Sequence, residues 1–511
     1  MKINKYFLLA LAVFAFVSCF EDESTDATNP IAEITIDVNS MKKVYNIDQN
    51  DSLIIKPIVI QSKEKELPLS YAWELNQEIV SEEKEFRYKG EILGTYNGRL
   101  IVSNEDGKAF YTFTLNVNSP YEYGILVLSK DAEERPHIAF MQEPMTEGEE
   151  RKFYDENCLE KNNEEQFFAS NPSDIIQTTG TLIVACQGKD GDAEDGAAIY
   201  FLNEKTFVME NLVESKEYPT FKPTKLLTPQ GSYEGSAYPV LSDDGKMYSL
   251  PTYNAVLQPS HKLTSTYAQT GFAVGDAVYN DIIVWDKEVN GLVCLYNGYG
   301  PYYCGYKYLL QRDSLSTDEY YTKNFSKLKG LRTLVYINKT KEQLSKSRQE
   351  LIAIVDGANM KQKIVISTFF WRQIEGKIGE YEVLDHGKGF QKAASKSYSV
   401  INEKTPCIAN ATYETMFFAV GNKVMKWYYF KDNSTLEQAE ELLKVGSDND
   451  NAVITSFTIS EDHKKTYVAF YDPTQEGKNG SVWVFDTYSG TVLEEYNNVC
   501  YQPVKVIYKK K

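Results

Sequence analysis

Short stretches in which apolar and polar residues alternate, separated by turn residues, fill the chain from residue 31 to residue 118. In residues 34–38 every second residue is apolar, which places these side chains on one face of a strand. Residues 53–60 contain Pro57, which indicates an edge strand or a break. Residues 110–117 alternate again after a turn sequence. About five or six such strands, without a convincing helix, predict a small immunoglobulin-like β-sandwich over 31–118.

A repeated pattern of strand, polar turn and strand follows from residue 120 to residue 511. Residues 198–209, 282–296 and 481–493 are examples. Four tryptophans lie in strands of this kind, at positions Trp285, Trp371, Trp427 and Trp483. Units of two hairpins that recur at roughly 50–80 residues are typical of a β-propeller. We therefore predict an all-β protein whose second domain, 120–511, is a six- or seven-bladed β-propeller-like domain.

Two local features complete this prediction for the second domain. The apolar residues 504–508 are expected to form the strand that closes the ring. Residues 435–443 are rich in Glu and Leu and predict about two turns of helix, the clearest helical run in the chain.

Charge and composition restrict the classes of partner and chemistry. The 511 residues include 72 acidic and 54 basic side chains, a formal net charge of −18, which excludes a nucleic-acid partner because binding DNA or RNA needs a positive field. Only four histidines are present, and the phosphate-loop, HExxH and GxSxG motifs are missing. We therefore expect no enzymatic activity. A glycan hydrolase remains the alternative, because separated Asp and Glu residues can form its site.

The first residues predict the cellular location. Basic residues precede an apolar stretch at 7–17, which is too short to cross a bilayer but suits a secretion signal. The small residue before Cys19 resembles a bacterial lipobox, which implies a signal peptide over 1–18 and acylation of Cys19. Residues 19–30 then form a flexible tether. An ordinary signal peptide with an incidental cysteine is the alternative.

The acidic residues 21–23 resemble the surface-export signal of Bacteroidota lipoproteins, and a simple charged linker is the other interpretation. The resemblance implies a location in the outer membrane, facing the cell exterior, with the lipid anchor as the only contact with the membrane.

Two segments are candidate binding sites. Residues 296–308 carry six tyrosines on a Gly-rich backbone, and flat aromatic faces with hydroxyl groups suit a sugar or a peptide. The candidate ligand-binding residues are Tyr299, Tyr302, Tyr303 and Tyr306. The alternative is packing of these tyrosines between blades.

Residues 190–196 are the second candidate, because clustered carboxylates on a turn can bind calcium. The candidate metal ligands are Asp190, Asp192 and Asp195. Their spacing differs from that of an EF-hand, and a solvated hairpin loop is the alternative. No other cofactor is expected.

Residues 71–73, Tyr-Ala-Trp, and the later Gly94-x-Tyr96 resemble the PKD-type sandwich, in which the tryptophan belongs to the core. Together with the Cys19 signal and the tryptophan-containing hairpins, they make the whole chain similar to PKD-like lipoproteins of Bacteroidota. The resemblance implies an accessory lipoprotein of a SusC/SusD-like nutrient importer, without catalytic residues. Our expectation is a protein that binds a glycan or a peptide beside such an importer. A purely structural docking subunit and a surface hydrolase are the alternatives.

Overall fold

The computed structural model shows an all-β protein. It divides into two compact units, Met1–Ser119 and Pro120–Lys511. The structure describes residues 31–62, 67–144, 152–154, 157–164, 166–227, 237–251, 256–259, 265–275, 280–288, 291–297, 306–309, 311–312, 331–339, 349–357, 364–373, 381–384, 390–391, 401–410, 412–429, 436–446 and 450–510.

Nine strands form the first unit within residues 31–62 and 67–119. They are β1 (Ile34–Ile36), β2 (Val44–Asp48), β3 (Ser52–Ile55), β4 (Val59–Gln61), β5 (Ser70–Leu75), β6 (Glu78–Ser81), β7 (Phe86–Lys89), β8 (Gly94–Ser103) and β9 (Lys108–Asn118). A five-stranded sheet has the order β2-β9-β8-β5-β6, in which β2 runs parallel to β9 and the other pairs are antiparallel. Strand β3 pairs with β7, and β1 pairs with β4. The break at Pro57 separates β3 from β4, as the sequence predicts.

The core of this unit is built around Trp73. This side chain has no solvent exposure, and its ring stacks on Phe86 with the centroids 4.9 Å apart. Trp73 belongs to the five-stranded sheet and Phe86 to the pair β3–β7, so the contact joins two sheets. The indole Nε1 donates a hydrogen bond to the carbonyl of Glu83 at 2.9 Å. Trp73 is therefore a structural residue, as the sequence predicts.

Thirty strands form the described part of the second unit. The first eleven are β10 (Gly124–Lys130), β11 (Pro136–Gln142), β12 (Lys152–Tyr154), β13 (Pro172–Thr178), β14 (Thr181–Cys186), β15 (Ala198–Asn203), β16 (Met209–Glu214), β17 (Pro223–Leu226), β18 (Ala237–Ser242), β19 (Met247–Pro251) and β20 (Gln258–Pro259). The next ten are β21 (Tyr267–Gly275), β22 (Asn280–Asp286), β23 (Gly291–Asn297), β24 (Tyr306–Leu309), β25 (Gln311–Arg312), β26 (Leu331–Lys339), β27 (Gln349–Gly357), β28 (Ile364–Gln373), β29 (Tyr381–Leu384) and β30 (Phe390–Gln391). The last nine are β31 (Cys407–Asn410), β32 (Thr415–Val420), β33 (Lys423–Tyr428), β34 (Glu440–Lys444), β35 (Val453–Ile459), β36 (Lys465–Tyr471), β37 (Gly480–Asp486), β38 (Val492–Cys500) and β39 (Gln502–Lys509).

These strands form seven successive sheets. Sheet 1 has the order β12-β11-β10-β39, sheet 2 contains β13 to β16, sheet 3 β17 to β20, and sheet 4 β21 to β24. Sheet 5 contains β25 to β30, sheet 6 β31 to β34, and sheet 7 β35 to β38. Strand β39 pairs with β10, so one sheet joins the two ends of the unit, as predicted for 504–508.

Apolar side chains fill the spaces between neighbouring sheets. In β14, Leu182 and Val184 pack towards sheet 1, while Ile183 and Ala185 pack towards sheet 3. In β37, Val482 packs against sheet 1. Both faces of a sheet are covered, which explains why these strands are continuous apolar runs rather than alternating ones.

One edge strand of each sheet contacts an edge strand of the next sheet. We call these seven strands the inner strands. They are β39, β13, β17, β21, β26, β31 and β35, in order of contact, and β35 contacts β39 again. Seven sheets that pack in this closed order form a propeller-like arrangement.

Helical structure is slight in the described part of the chain. It comprises α1 (Cys158–Asn162) and two 3-10 turns, Val38–Ser40 and Leu436–Gln438. The prediction of a helix at 435–443 was wrong, because Glu440–Lys444 is the strand β34. Pairing with β33 and packing of the leucines of β34 beside the core between sheets 6 and 7 outweigh the helix propensity of Glu and Leu. None of the described helices has the length and apolar character that a membrane span requires.

Candidate ligand-binding site

A cavity of about 690 Å³ lies beside sheet 2, at one end of its strands, and we call it the edge cavity. Because the strands of this sheet are antiparallel, the β14–β15 connection and the β16–β17 connection lie at the same end of the strands. The segment that precedes β13 lies at that end too. The cavity is lined by residues of these three segments: 166–169, 187–200 and 212–222.

The β14–β15 connection, residues 187–197, has a defined backbone conformation. The N–H of Lys189 donates to the carbonyl of Asp195 at 2.8 Å, and the N–H of Gly188 donates to the carbonyl of Ser170 at 2.8 Å. Gly188 has φ of 69°, and a Cβ atom there would lie 2.2 Å from the carbonyl oxygen of Asp195. The close approach of the backbone therefore requires glycine at this position.

The three candidate metal ligands lie on this connection, and each has a different partner. Asp195 is buried, and its carboxylate accepts a hydrogen bond from the N–H of Ser170 at 2.7 Å. The side chain of Asp192 accepts from the N–H groups of Glu194 and Asp195, at 3.0 and 3.3 Å. Asp190 forms an ion pair with Lys222. Among the described residues, no group of three or more His, Cys, Asp or Glu side chains is arranged to hold a metal ion. Calcium binding at this loop stays a prediction.

The floor of the edge cavity is aromatic and rigid. Tyr200 is buried, and its hydroxyl oxygen accepts a hydrogen bond from the N–H of Ala169 at 2.7 Å. Its ring lies 4.7 Å from that of Phe168. Burial raises the pKa of the Tyr200 hydroxyl well above its usual value, so this group is neutral at physiological pH. Phe221, also buried, contacts the ring of Tyr248 at 4.7 Å.

The rim of the cavity is charged and exposed. Phe167 has 60% of its surface exposed. Lys216 and Glu214 form an exposed ion pair at 2.7 Å, and Lys222 pairs with Asp190, whose side chain is 90% exposed. Breaking an exposed ion pair typically costs only ~0.2–1 kcal/mol of free energy, so these charged groups can bind a ligand instead of each other. An apolar floor beside such a rim can bind a molecule that has one apolar face and several hydrogen-bonding groups.

Most other predicted site residues lie outside the described part of the chain. Cys19, Tyr299, Tyr302 and Tyr303 belong to this group. Tyr306 is the first residue of β24, and its backbone pairs with that of Tyr296. The structure describes the backbone of Tyr306 but not its side chain. Aromatic-loop binding and lipidation therefore stay predictions.

The edge cavity was not predicted from the sequence. Its walls come from three segments that are separated along the chain, and each segment alone is an ordinary polar connection. One signal was available: Phe167 and Phe168 are adjacent large apolar residues in a polar stretch, and in the structure Phe167 is exposed whereas Phe168 is buried.

Comparison with known proteins gives the following results. No family model matches the chain, and no curated protein matches it either. Among solved structures, a quinonprotein alcohol dehydrogenase-like protein of Bacteroides thetaiotaomicron is 11% identical, with a TM-score of 0.43, over 93% of this chain and 99% of that one. Sqt1 of Saccharomyces cerevisiae is 8% identical, with a TM-score of 0.39, over 74% and 86% of the two chains. The Cps50 (Swd1) β-propeller domain of Myceliophteria thermophila is 9% identical, with a TM-score of 0.36, over 66% and 92%. Similarities of this strength say nothing about activity, ligand or partner.

Proposed function

We propose that this protein is a non-enzymatic surface lipoprotein that binds glycan or peptide fragments of a nutrient polymer. The edge cavity is the observation that carries the proposal. Its volume of about 690 Å³ falls in the range of ~300–1,000 Å³ that is usual for small-molecule sites. The exposed ring of Phe167 suits the apolar face of a sugar or an apolar side chain of a peptide. The ammonium and carboxylate groups of the rim suit hydroxyl or amide groups of the same ligand.

The N-terminal sequence supports the proposed location. The apolar residues 7–17 followed by Cys19 support cleavage and lipidation, and the acidic residues 21–23 support display on the outer face of the outer membrane. A lipidated cysteine followed by a β-rich unit and a propeller-like unit supports an accessory role beside a SusC/SusD-like importer.

The proposal also assigns a fold type to each of the two units. The stacking of Trp73 on Phe86 between two sheets supports a PKD-like sandwich at 31–118. The closed order of the inner strands supports a seven-bladed propeller at 120–511. Along the chain, the sandwich lies between the proposed lipid anchor and the propeller-like unit.

Ligand binding is tested with a soluble Cys19→Ser chain on a glycan array and a peptide library, followed by titration calorimetry with the strongest hit. We expect Phe167→Ala to weaken binding at least tenfold. Phe110→Ala, which removes an exposed ring of the first unit, is the matched control and is expected to leave affinity unchanged.

A triple variant, Tyr299→Ala, Tyr302→Ala and Tyr303→Ala, separates the two candidate sites. Loss of binding in the triple variant with unchanged binding in Phe167→Ala would move the site to the aromatic loop. Absence of any hit would favour the docking subunit, and carboxylate-dependent turnover of a bound glycan would favour the hydrolase.

The importer is tested separately by purification of the tagged lipoprotein from its native outer membrane in mild detergent. We expect a SusC/SusD-like pair to be recovered in stoichiometric amounts, and to be lost with the unacylated Cys19→Ser variant. Recovery of the lipoprotein alone would contradict a stable importer complex.

A further inference from the structure

Strand β16 is the outer strand of sheet 2, and part of its outer edge is unpaired. The strand pairs with β15 on one side only. At its beginning, the N–H of Met209 donates to the side-chain oxygen of Asn163 at 2.6 Å, so this end of the edge is covered. From Glu210 to Glu214, no other described segment forms a hydrogen bond with the backbone of this edge. The unpaired part therefore lies at the end of β16 that leads to the edge cavity.

The register of β15 and β16 shows which backbone groups point away from the sheet. The N–H of Ser215 donates to the carbonyl of Ala197 at 3.1 Å, which makes these two residues a hydrogen-bonded pair. Along antiparallel strands, hydrogen-bonded pairs alternate with pairs that are not hydrogen-bonded. Glu214 and Leu212, one and three positions before Ser215, are therefore the residues whose N–H and C=O groups point outward.

These outward backbone groups of Leu212 and Glu214 form what we call the free edge. The N–H of Leu212 donates to the side-chain oxygen of the neighbouring Asn211 at 2.8 Å. That acceptor is exposed and local, so a carbonyl of a ligand can replace it. The N–H of Glu214 and the carbonyls of both residues have no hydrogen-bond partner among the described residues. Donors and acceptors thus recur at every second residue, which is the spacing that an extended peptide backbone matches.

The free edge is continuous with the edge cavity. Leu212 and Glu214 both line the cavity, and Leu212 is directly opposite Tyr200 of the cavity floor. Residues that are directly opposite in a sheet project their side chains to the same face. A residue of an added strand opposite Leu212 would therefore project its side chain to the face that Leu212 and Tyr200 share. The exposed ring of Phe167 lines the same cavity and can contact this side chain.

The free edge distinguishes the two classes of ligand that the proposed function leaves open. A glycan can stack on Phe167, but it has no chain of amide groups at the spacing of a strand. We propose that the ligand of the edge cavity is an extended peptide, which adds a fifth strand to sheet 2 beside β16 and inserts one apolar side chain into the cavity. The main-chain hydrogen bonds supply affinity, and the cavity selects the side chain. This inference rests on the proposed function, since both require a ligand in the edge cavity.

The probe is the strongest hit from a library of random octapeptides with acetylated and amidated ends, titrated calorimetrically into the soluble Cys19→Ser chain. Leu212→Pro removes the outward N–H, and proline is tolerated at such an edge position because no bond to β15 is lost. Leu212→Ala, the matched control, removes the same side chain but keeps the N–H. We expect Leu212→Pro to bind the probe at least tenfold more weakly than Leu212→Ala.

Methylation of the probe's backbone nitrogens, one at a time, gives a readout that side-chain binding alone would not produce. A strand beside β16 donates from every second residue, so we expect at least tenfold losses of affinity at alternating positions and small losses between them. Near-ultraviolet circular dichroism checks that both Leu212 variants are folded. If Leu212→Pro is not folded, the methylation series carries the test, because it uses the parent chain.

Similar affinities of Leu212→Pro and Leu212→Ala, or losses that do not alternate along the probe, would overturn the added strand. If such a probe still loses affinity in Phe167→Ala, the proposed function stands and only the pairing with β16 fails. A glycan that requires Phe167, in the absence of any octapeptide that binds, would likewise overturn the peptide and leave the proposed function intact. Binding that is unaffected by Phe167→Ala would overturn both.

Discussion

The carboxylate of Asp195 accepts a hydrogen bond from the backbone N–H of Ser170 at 2.7 Å, across 25 positions of the chain. Asp195 belongs to the candidate metal loop, and Ser170 belongs to the segment that precedes β13. The bond therefore holds two walls of the edge cavity together. A carboxylate that the sequence suggests as a metal ligand therefore also makes a structural contact beside the edge cavity.

Removal of this contact is expected to destabilise the second unit. Asp195→Ala leaves the buried N–H of Ser170 without an acceptor, which costs ~1–3 kcal/mol in the free energy of unfolding. Urea denaturation followed by tryptophan fluorescence measures the change. Asp190→Ala is the control: its exposed ion pair with Lys222 contributes at most ~1 kcal/mol, so equal losses in the two variants would contradict this role of Asp195.

Two glycines of the same connection make a matched pair. Gly188 and Gly191 both have positive φ, 69° and 79°, so alanine is strained at either position. Only at Gly188 would the new Cβ meet the backbone, at 2.2 Å, whereas at Gly191 nothing lies within 4 Å. We expect Gly188→Ala to lower the melting temperature clearly more than Gly191→Ala and to weaken ligand binding in the edge cavity. Similar effects of the two substitutions would mean that the close approach is unimportant.

The ion pair of Asp174 and Lys505 predicts a strong asymmetry between two substitutions. Asp174→Ala leaves two lysines near one another without a carboxylate, and breaking a buried pair in this way typically costs ~3–5 kcal/mol. Lys225→Met removes an ammonium that has no ion-pair partner among the described residues and whose pKa is lowered by burial, and is expected to leave the free energy of unfolding unchanged or higher. Denaturant titrations test both. A large loss in Lys225→Met would show that Lys225 has a partner of its own.

Lys509 predicts a pH dependence of stability. Its ammonium donates to the carbonyl of Glu122 at 2.7 Å, and burial lowers the pKa of Lys509 to about 8. In the unfolded chain this pKa is near 10.4, so between about pH 8 and 10 the unfolded state binds a proton that the folded state does not. The contribution of Lys509 to stability therefore rises with pH in this window, by roughly 1.4 kcal/mol per unit.

The comparison is made with Lys509→Met, because all other titrations are shared. Between pH 8 and 9.5 the parent chain is expected to gain roughly 1–2 kcal/mol relative to the variant. A difference that stays constant, or that falls with pH, would contradict a lowered pKa for Lys509.

The sequence predicts the strands of this protein well, because apolar runs and turn residues are local signals. The strand at 504–508 and the break at Pro57 are examples that the structure confirms. The tryptophans were expected in comparable strands, yet Trp427 and Trp483 lie in the third strands of their sheets and Trp285 in the second of its sheet. The sequence pattern does not distinguish the second strand of a sheet from the third, since both kinds of strand are covered by other sheets on both faces.

The sites are harder to predict, because they depend on which distant segments meet. Asp174 and Lys505 are 331 positions apart and become partners only when β13 and β39 are neighbours. A weak signal was present, since Lys505 interrupts the otherwise apolar run 503–508 of β39. A charge in such a strand needs a partner, although the sequence alone does not identify it.

The register of β10 and β39 has a mechanical consequence. Gly124 is opposite Lys509 and Lys130 is opposite Gln502, so residues 120 and 510 leave this strand pair at the same end. A force that pulls these two residues apart would break the hydrogen bonds of the pair one after another rather than all together. A load that enters through residue 120 alone is shared between the pairs that β10 forms with β11 and with β39, so the propeller-like unit tolerates drag on a tether better than tension between its own two ends.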